Sequence, residues 1–288
     1  MPAATHMMEL RREIDCAAAR LAAAGIDSAR HDAEQLAAHL AGTERGRLAL
    51  LEAPGEEFFG RYRQIVAQRS RRVPLQHLIG TASFGPVQLN VGPGVFIPRP
   101  ETEAILEWAL AQPLPDRPLI VDLCTGSGAL AIALAHRLPS ARVIGVDDSE
   151  DALGYARRNA EGTSVELLRA DVTDPGLLPE LDGRVDLVVA NPPYVPDDAD
   201  VAPEVAGHDP RHAVFGGPDG MVVIAPIVGL AARWLRPGGL VAVEHDDTTA
   251  PQTAALFCAA GQFEDIRTRH DLAGRPRFVT AGRSGADD

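Results

Sequence analysis

Two periodicities divide this chain. From Met8 to about Arg72 apolar residues return every three to four positions, the spacing of amphipathic helices. Glu9 to Ala24 is rich in Ala and Leu, Ser28 stands where it can cap a helix reaching Leu40, and Glu56 to Arg72 forms a further amphipathic stretch. Turns at Ala41-Gly42 and Ala53-Pro-Gly55 separate these helices, so residues 1–75 read as a small helical bundle. The period then changes. His77-Leu-Ile-Gly-Thr-Ala-Ser-Phe-Gly-Pro-Val-Gln-Leu-Asn-Val alternates around Gly85-Pro86, and residues 76–96 read as a β-hairpin linker.

From Ile97 onward short apolar runs alternate with helical stretches, the pattern of a doubly wound, mostly parallel sheet. Strands are expected near 119–124, 142–147, 165–170, 185–190, 239–245, 263–270 and 276–282, and a helix from Ala129 to Arg137. A long helix starts near Met221 and is closed by the turn Pro237-Gly238-Gly239. The last two strands lie close around Gly274 and pair as an antiparallel hairpin. Val195 to Gly220 carries Pro, Asp and Gly without periodicity and reads as a long loop, of the kind that covers a site. Residues 97–283 form the α/β domain and 284–288 a flexible tail.

The candidate chemistry sits at the ends of these strands. Val185-Asp-Leu-Val-Val-Ala190 has the composition of a buried strand, and Asn191-Pro192-Pro193-Tyr194 follows it directly. Ligands of open α/β sheets bind beyond the carboxyl ends of the strands, and consecutive prolines hold such a turn extended and stiff. The Asn191 side chain and the exposed carbonyls are thereby presented as acceptors for a planar NH2 group, with the Tyr194 ring laid against its face. Asn and Pro are also ordinary turn residues, and Tyr194 could equally stand at a rim. What favours chemistry is the position after a buried strand and the company of other motifs.

Leu119-Ile-Val-Asp122-Leu-Cys124-Thr125-Gly126-Ser127-Gly128 is an apolar strand running into a Gly-rich turn. Asp147 ends the next strand, about 20 residues further on, where a carboxylate can accept from ribose hydroxyls. The loop lacks the third glycine of a dinucleotide fingerprint, so a nucleoside ligand without phosphate, S-adenosylmethionine, suits it better. Asp171 could receive the adenine amino group, or simply cap the next segment, and Val172 could pack on the adenine ring. Asp122 could either orient the loop or touch the ligand.

Composition narrows the setting. Three cysteines, Cys16, Cys124 and Cys258, are too few and scattered for a disulfide framework. No apolar run approaches a membrane span and no signal-peptide pattern opens the chain, so a cytoplasmic protein without membrane association is expected. The nine histidines show no metal-ligand spacing, and no metal is expected. A net charge of −13 opposes stable nucleic-acid binding. Arg61, Arg63, Arg69, Arg71 and Arg72 nevertheless cluster, as a solvated helix face or as a contact surface for an acidic partner.

With Phe96-Ile-Pro98-Arg99-Pro100-Glu101-Thr102-Glu103, Glu204-Val205, Asp209-Pro-Arg211, Phe215-Gly-Gly-Pro-Asp-Gly220, Leu235-Arg-Pro-Gly-Gly239, Glu244 and Asp271-Leu-Ala-Gly-Arg275 added, the chain resembles the bacterial N5-glutamine methyltransferases of peptide chain release factors. The match runs from roughly Leu75 to Arg283 and is weaker before that. The resemblance implies a class I S-adenosylmethionine-dependent methyltransferase fold, Rossmann-like with a mostly parallel seven-stranded sheet, behind a small N-terminal helical domain for substrate recognition. It implies S-adenosyl-L-methionine as cofactor, S-adenosyl-L-homocysteine as product, and the Gly-Gly-Gln loop of class 1 and 2 release factors as substrate, modulating translation termination; a monomer is expected.

By the same resemblance, Cys124 to Gly128 contact the methionine part of the cofactor and Asp147 its ribose. Asn191 stands between cofactor and substrate. Its side-chain oxygen accepts one amide hydrogen and the Pro192 carbonyl the other, and Pro193 and Tyr194 complete the substrate contact. Two departures stand out: Cys124 replaces the usual first glycine of the loop, and His245-Asp246 replaces a glycine-containing stretch after Glu244. Rival readings are a ribosomal-protein glutamine methyltransferase, an N6-adenine DNA methyltransferase, which uses the same Asn-Pro-Pro-Tyr turn, and a binding module that keeps only the fold. The Ile-Pro-Arg-Pro-Glu-Thr-Glu segment is the most specific of the matching pieces.

Overall fold

The computed structural model describes residues 2–51 and 54–285, with side chains from residue 9 onward. Ala53 of the expected turn and residues 286–288 of the expected tail lie outside the described residues. The chain divides into two units: Met1–Thr81 with Val201–His208, and Ala82–Asp200 with Asp209–Asp288.

Unit 1 is helical. α1 (Pro2–Ala23), α2 (Ala29–Leu40), α3 (Glu56–Arg69) and the short α4 (Leu75–Ile79) are joined by a 3-10 turn at Arg45–Leu50 and by the Pro203–His208 helix from far along the chain. Leu10, Ile14, Ala17 and Leu21 recur on one face of α1 and meet Ala33, Leu36 and Ala37 of α2 and Phe59, Tyr62 and Val66 of α3 in one core. The Tyr62 hydroxyl donates to the Ala33 carbonyl at 2.9 Å, so its polar end is satisfied inside.

Two expectations are corrected in this unit. Ser28 precedes α2, but its backbone (φ −85°, ψ 21°) departs from the extended cap geometry and its side chain makes no capping bond. The arginine cluster divides: Arg61, Arg63 and Arg71 are exposed, as a solvated helix face requires, but Arg69 and the half-buried Arg72 turn inward. Arg69 is buried, with Nε on Asp32 Oδ2 at 2.7 Å and Nη1 on Glu204 Oε1 at 3.1 Å. Arg72 shares Glu204 at 3.0 Å, and Arg63 reaches Glu13 at 2.9 Å. Burying a guanidinium requires such partners, and Glu204 is delivered by the helix that interrupts the segment after the diproline turn.

A two-stranded sheet of β1 (Thr81–Phe84) and β2 (Val87–Asn90) forms the expected hairpin. Its corner is Gly85 at φ +48°, where a Cβ would stand 2.8 Å from Leu106 Cδ2. A 3-10 turn at Pro100–Thr102 leads into α5 (Glu103–Leu110). Then follow β3 (Leu119–Leu123), α6 (Ala129–Arg137), β4 (Arg142–Asp147), α7 (Glu150–Asn159), β5 (Glu166–Arg169), β6 (Val185–Ala190), α8 (the Pro203–His208 helix), α9 (Arg211–Val214), α10 (Ile224–Trp234), β7 (Leu235–Glu244), α11 (Ala250–Ala260), β8 (Phe263–His270) and β9 (Pro276–Arg283). The seven-stranded sheet runs β5-β4-β3-β6-β7-β9-β8, parallel except for β9, which is antiparallel to both neighbours.

Every residue of β6 is buried, as a central parallel strand covered on both faces must be. On one face Val188 and Val241 meet Ile227, Ala231 and Trp234 of α10; on the other Ile120, Val143 and Leu187 meet Leu106 of α5 and Ala131 and Leu134 of α6. The first strand β3 sits between β4 and β6, so the sheet reverses direction there, the place where open α/β sheets form their crevice.

The helix expected from Met221 is α10, and Pro237-Gly238-Gly239 does not close it. The chain leaves the helix at the buried Leu235, whose backbone is in register with Val185 of β6, and the Pro-Gly-Gly stretch is a bulge inside β7 where the register slips before Leu187 meets Leu240. The Val195–Gly220 loop is likewise not structureless: α8, α9 and a bridge between Val195 and Phe215 order it. Among the described residues no helix is long and apolar enough to cross a membrane.

Candidate active site

At the end of β3 the chain turns through left-handed backbone at Cys124 (φ 58°), Gly126 (φ 57°) and Gly128 (φ 86°) before entering α6. Two carboxylates, one buried and one half-buried, pin this turn. Asp122 Oδ2 accepts from the Thr125 hydroxyl at 2.6 Å and the Ala131 amide at 3.1 Å. Asp147, at the end of β4, accepts from the Gly126 amide at 2.8 Å and the Ser149 amide at 3.0 Å. Asn159 of α7 donates to the Ser127 carbonyl at 3.0 Å.

The turn borders a cavity of about 260 Å³, whose wall includes Cys124, Thr125, Gly126, Ser127, Asp147, Asp171, Val172, Asn191 and Pro193. Gly128, Pro192 and Tyr194 are not among the lining residues. Gly128 instead packs on α6, where a Cβ would stand 2.7 Å from Ile132 Cδ1. Asp171 Oδ1 accepts from the Thr173 amide at 2.8 Å and its hydroxyl at 2.7 Å, so the carboxylate shapes its own turn while also facing the cavity.

Four carboxylates, Asp122, Asp147, Asp148 and Asp171, face this space. Burial pushes Asp122 up to about 7, against the pull of the Thr125 hydroxyl and the Ala131 amide. Burial likewise raises Asp147, with its two backbone donors opposing. Asp171 is held below the usual range by the Thr173 hydroxyl and amide. The Cys124 thiol is pushed well up by burial and by the surrounding acids, which keeps it uncharged and unreactive. An acidic wall of this kind favours a cationic guest. Among the described residues the buried Ser127 hydroxyl has no partner, and a Cβ on Gly126 would meet nothing within 4 Å. An unused donor and open space beside bare backbone fit a nucleoside-bearing cation such as S-adenosylmethionine.

The Asn-Pro-Pro-Tyr turn is clamped from several sides. A Cβ on Gly216 would collide with the Pro193 carbonyl and one on Gly220 with the Tyr194 carbonyl, so the Phe215–Gly220 stretch packs on the turn through bare backbone. Asn191 Nδ2 donates to Thr102 Oγ1 at 3.0 Å. The Tyr194 hydroxyl donates to Glu244 Oε1 at 2.9 Å, which draws that ring toward the end of β7. Glu244 is fully buried and pushed up to about 7 by burial, opposed by the Thr102 and Tyr194 hydroxyls and by Arg277. Arg277 in turn reaches Asp271 Oδ2 at 3.4 Å. Arg99 pairs with Asp209 at 2.5 Å and lies 4.9 Å from the centre of the Phe96 ring, fixing the segment that brings Phe96, Pro98 and Thr102 to the cavity wall.

The motifs that contain Thr102 and Glu244 assign them no role, because their partners lie 89 and 50 residues away in sequence. His212, Asp148 and Val223 also line the cavity, and no local pattern marks them. His245 and Asp246, the departure after Glu244, form a strand end: the His245 amide donates to the Arg277 carbonyl at 3.0 Å, and Asp246 Oδ1 accepts from the Thr248 amide at 2.9 Å.

A mostly parallel seven-stranded sheet with one antiparallel strand, a glycine turn after β3, a carboxylate ending β4 and an Asn-Pro-Pro-Tyr turn ending β6 define a class I S-adenosylmethionine-dependent methyltransferase. Comparison with known proteins agrees. Residues 14–80 match a family described as the PrmC N-terminal domain, and residues 120–206 a methyltransferase domain. The chain is 72% identical to the release factor glutamine methyltransferase of Mycobacterium tuberculosis over 96% of its length and 93% of that protein's. It is 49% identical to the one of Streptomyces coelicolor, over 96% of this chain and 98% of that one. It is also 40% identical to a 4-amino-L-phenylalanine/4-methylamino-L-phenylalanine methyltransferase of Streptomyces pristinaespiralis, over 90% of this chain and 91% of that one. A solved methyltransferase from Pyrococcus furiosus shares the fold at 17% identity, with a TM-score of 0.53 over 76% of this chain and all of that one. The chain belongs to the release factor glutamine methyltransferase family.

Proposed function

We propose that this protein transfers a methyl group from S-adenosyl-L-methionine to the side-chain amide nitrogen, N5, of the glutamine in the Gly-Gly-Gln loop of class 1 and 2 peptide chain release factors, in the cytoplasm, and so modulates translation termination. One observation carries the reading: Thr102 occupies the NH2 end of the Asn191 amide, which leaves Asn191 Oδ1 as an acceptor on a stiff turn at the wall of an acidic cavity.

When bound, the cofactor supplies an electrophilic methyl group on a sulfonium. Cys124 to Ser127 would hold its methionine end, with the Ser127 hydroxyl free to donate, while Gly128 shapes the turn from behind. Asp147 takes the ribose hydroxyls with the lone pairs left over from its amide bonds, and Asp171 and Val172 take the adenine. An amide nitrogen is a poor nucleophile because its lone pair is delocalised. Asn191 Oδ1 and the Pro192 carbonyl accept the two amide hydrogens and favour a pyramidal nitrogen as positive charge grows on it, which stabilises the transition state more than the ground state. Pro193 and Tyr194 hold the amide plane, and the proton leaves to water once the nitrogen has become acidic. Residues 1–75 serve substrate recognition, 76–96 link, 97–283 carry the chemistry, and 284–288 form a loose tail; the enzyme acts as a monomer, without stable nucleic-acid binding.

The relative from Streptomyces pristinaespiralis motivates a second reading, because an arylamine also presents an NH2 in plane with a π system. The test supplies labelled S-adenosylmethionine with a release factor, the same factor lacking its Gly-Gly-Gln glutamine, ribosomal proteins, and 4-amino-L-phenylalanine as competing acceptors. Label is expected on the intact factor alone. Equal label on the glutamine-less factor, or preferential transfer to the amino acid, overturns the reading. Asn191→Ala is expected to cut transfer by about 10²–10³-fold, as loss of an acceptor at a developing charge does, while calorimetry shows cofactor affinity within about twofold of wild type.

A further inference from the structure

The cavity wall is built from stretches far apart in sequence. One is the glycine turn, Cys124 to Ser127; another starts where β2 ends and brings Gly94, Phe96 and Pro98 to the same space. That second stretch lies along α7. Val91, Val95 and Ile97 form a small core with Ala152, Tyr155 packs against it with its hydroxyl donating to the Pro93 carbonyl at 3.4 Å, and a Cβ on Gly92 would collide with that hydroxyl. Asn159, the last residue of α7, ties both stretches together. Its Oδ1 accepts from the Asn90 amide at 2.7 Å and from Asn90 Nδ2 at 2.9 Å, while its Nδ2 donates to the Asn90 carbonyl at 3.0 Å and to the Ser127 carbonyl at 3.0 Å. An asparagine side chain offers two protons and two oxygen lone pairs, and all four are used. The backbone partners also fix which end of the amide is which, because the Asn90 N–H can only donate and the two carbonyls can only accept. None of these partners belongs to α7, so the side chain does not serve the end of its own helix.

We propose that Asn159 is a positioning residue for the cofactor: it clamps the end of the β1–β2 hairpin to the glycine turn, fixes the spacing of these two stretches of cavity wall, and thereby couples the order of the hairpin end to cofactor occupancy. The inference rests on the cofactor assigned above. The clamp acts through Ser127. Asn159 holds the Ser127 carbonyl, and the Gly128 amide donates to the Thr125 carbonyl at 2.8 Å, so the peptide after Ser127 is fixed on both sides. The Ser127 hydroxyl, without a partner among the described residues, is thus kept where a ligand can take it. A ligand resting on both stretches must give up contacts before the Asn90–Asn159 bonds open, so it adds its binding free energy to the closed arrangement. Bound cofactor therefore slows opening of the hairpin end, and by reciprocal linkage loss of the clamp weakens the cofactor.

The first test is calorimetry with S-adenosylmethionine and no acceptor. Asn159→Ala is expected to raise the Kd about tenfold, the effect of losing a well-made hydrogen bond. Asn159→Asp keeps the size and the acceptor for Asn90 but turns an oxygen toward the Ser127 carbonyl, and it is expected to lose at least as much. In turnover the KM for S-adenosylmethionine is expected to rise with the Kd and to change more than kcat does. A wild-type Kd in either variant, or a loss confined to kcat, overturns the proposal. The second test needs no substitution. Hydrogen exchange of the backbone amides from Val87 to Val91 in the wild-type protein is expected to slow about tenfold with S-adenosylmethionine at about ten times its Kd; exchange indifferent to the cofactor overturns the coupling. In Asn159→Ala the hairpin end is expected to exchange faster throughout and the cofactor-dependent slowing to vanish. A side chain that merely stabilised the end of α7 would leave that slowing in place, and its persistence sinks the clamp. Neither test uses an acceptor, so a wild-type protein that binds the cofactor yet labels no release factor loses its assigned substrate while the clamp stands; a wild-type Kd in Asn159→Ala removes the clamp and leaves the substrate untouched.

Discussion

Each unit buries carboxylates against arginines, as unit 2 does Asp209 with Arg99 and Asp186 with Arg236, but unit 2 also seals two carboxylates without a bond to any guanidinium. In unit 1 Asp32 meets the buried Arg69 guanidinium at 2.7 Å, and Glu204 meets the same group at 3.1 Å. Charge is cancelled by charge. In unit 2 Asp122 and Glu244 are sealed with hydroxyls and backbone amides as their hydrogen-bonding partners, and burial carries both up to about 7. Neutral donors lower the cost of burial without removing it, so these two groups sit where a small change in pH changes their charge. A paired ion specifies how helices fit together. A carboxylate held by neutral donors is less stable but adjustable; Asp122 is part of the cavity wall and Glu244 holds Tyr194 of the diproline turn.

The contrast can be broken most forcefully in unit 1. Arg69→Met strands Asp32 in the interior and is expected to cost about 3–5 kcal/mol, the usual effect of removing one partner of a buried pair. Urea unfolding followed by helix circular dichroism is expected to move to lower denaturant ahead of tryptophan fluorescence, since Trp108 and Trp234 both belong to unit 2. Adding Asp32→Leu to it is expected to restore most of the loss, because two apolar groups need no pairing; no recovery would mean the pair does more than cancel charge.

Asp147→Ala tests the cavity side, where the carboxylate is held by amides and reserved for a ligand. The S-adenosylmethionine Kd is expected to rise by about 10–100-fold, the worth of charge-assisted hydrogen bonds. Wild-type affinity in calorimetry would remove the ribose assignment.

A smaller effect sharpens the comparison through pH. The folded protein holds Asp122 near 7 against an ordinary 3.8, so the favourable contribution of its neutral form is complete below about pH 4 and is lost as pH rises through 7. Asp122→Asn keeps an oxygen for Thr125 and Ala131 and carries no charge. Its Tm is expected to exceed that of wild type by about 2–4 °C at pH 8, a shift of ordinary size for about 1 kcal/mol in a large domain, with the gap narrowing steadily toward pH 5. A gap that widens on acidification would show the burial argument to be wrong.

The smallest change concerns Cys124, which adopts φ 58° where a side chain is strained. Cys124→Gly relieves about 1–2 kcal/mol of that strain and returns about 0.5–1 kcal/mol of backbone entropy cost. Scanning calorimetry is expected to show a rise of a degree or two with unaltered cofactor affinity; a fall would mean that the thiol packs usefully on the ligand wall.

Much of this was readable in one dimension. Strands β3, β4 and β6 fall within a residue of their expected places because a parallel strand covered on both faces must be a continuous apolar run, and few other structures use one. The glycine turn, Asp147 and Asn-Pro-Pro-Tyr were legible because backbone constraints write themselves as residue types: Gly126 and Gly128 at positive φ, two prolines where the chain must be stiff. Proline and glycine misled where their neighbours decided the outcome. Pro237-Gly238-Gly239 carries the signature of a helix stop, yet it bulges within β7 because the buried Leu235 is already in register with Val185.

Local sequence alone determined which segments are strands, where the ligand turn lies and which side chains can accept from an amide. The tertiary structure alone decided that Arg69 is an internal ion rather than part of a basic face, that the segment after the diproline turn supplies its counter-ion, and that Thr102 and Glu244 stand behind Asn191 and Tyr194. The reason is the range of the forces involved. Backbone geometry and apolar periodicity are properties of neighbours in the chain, whereas hydrogen bonds between residues 89 and 50 positions apart exist only once the sheet has brought their strands together.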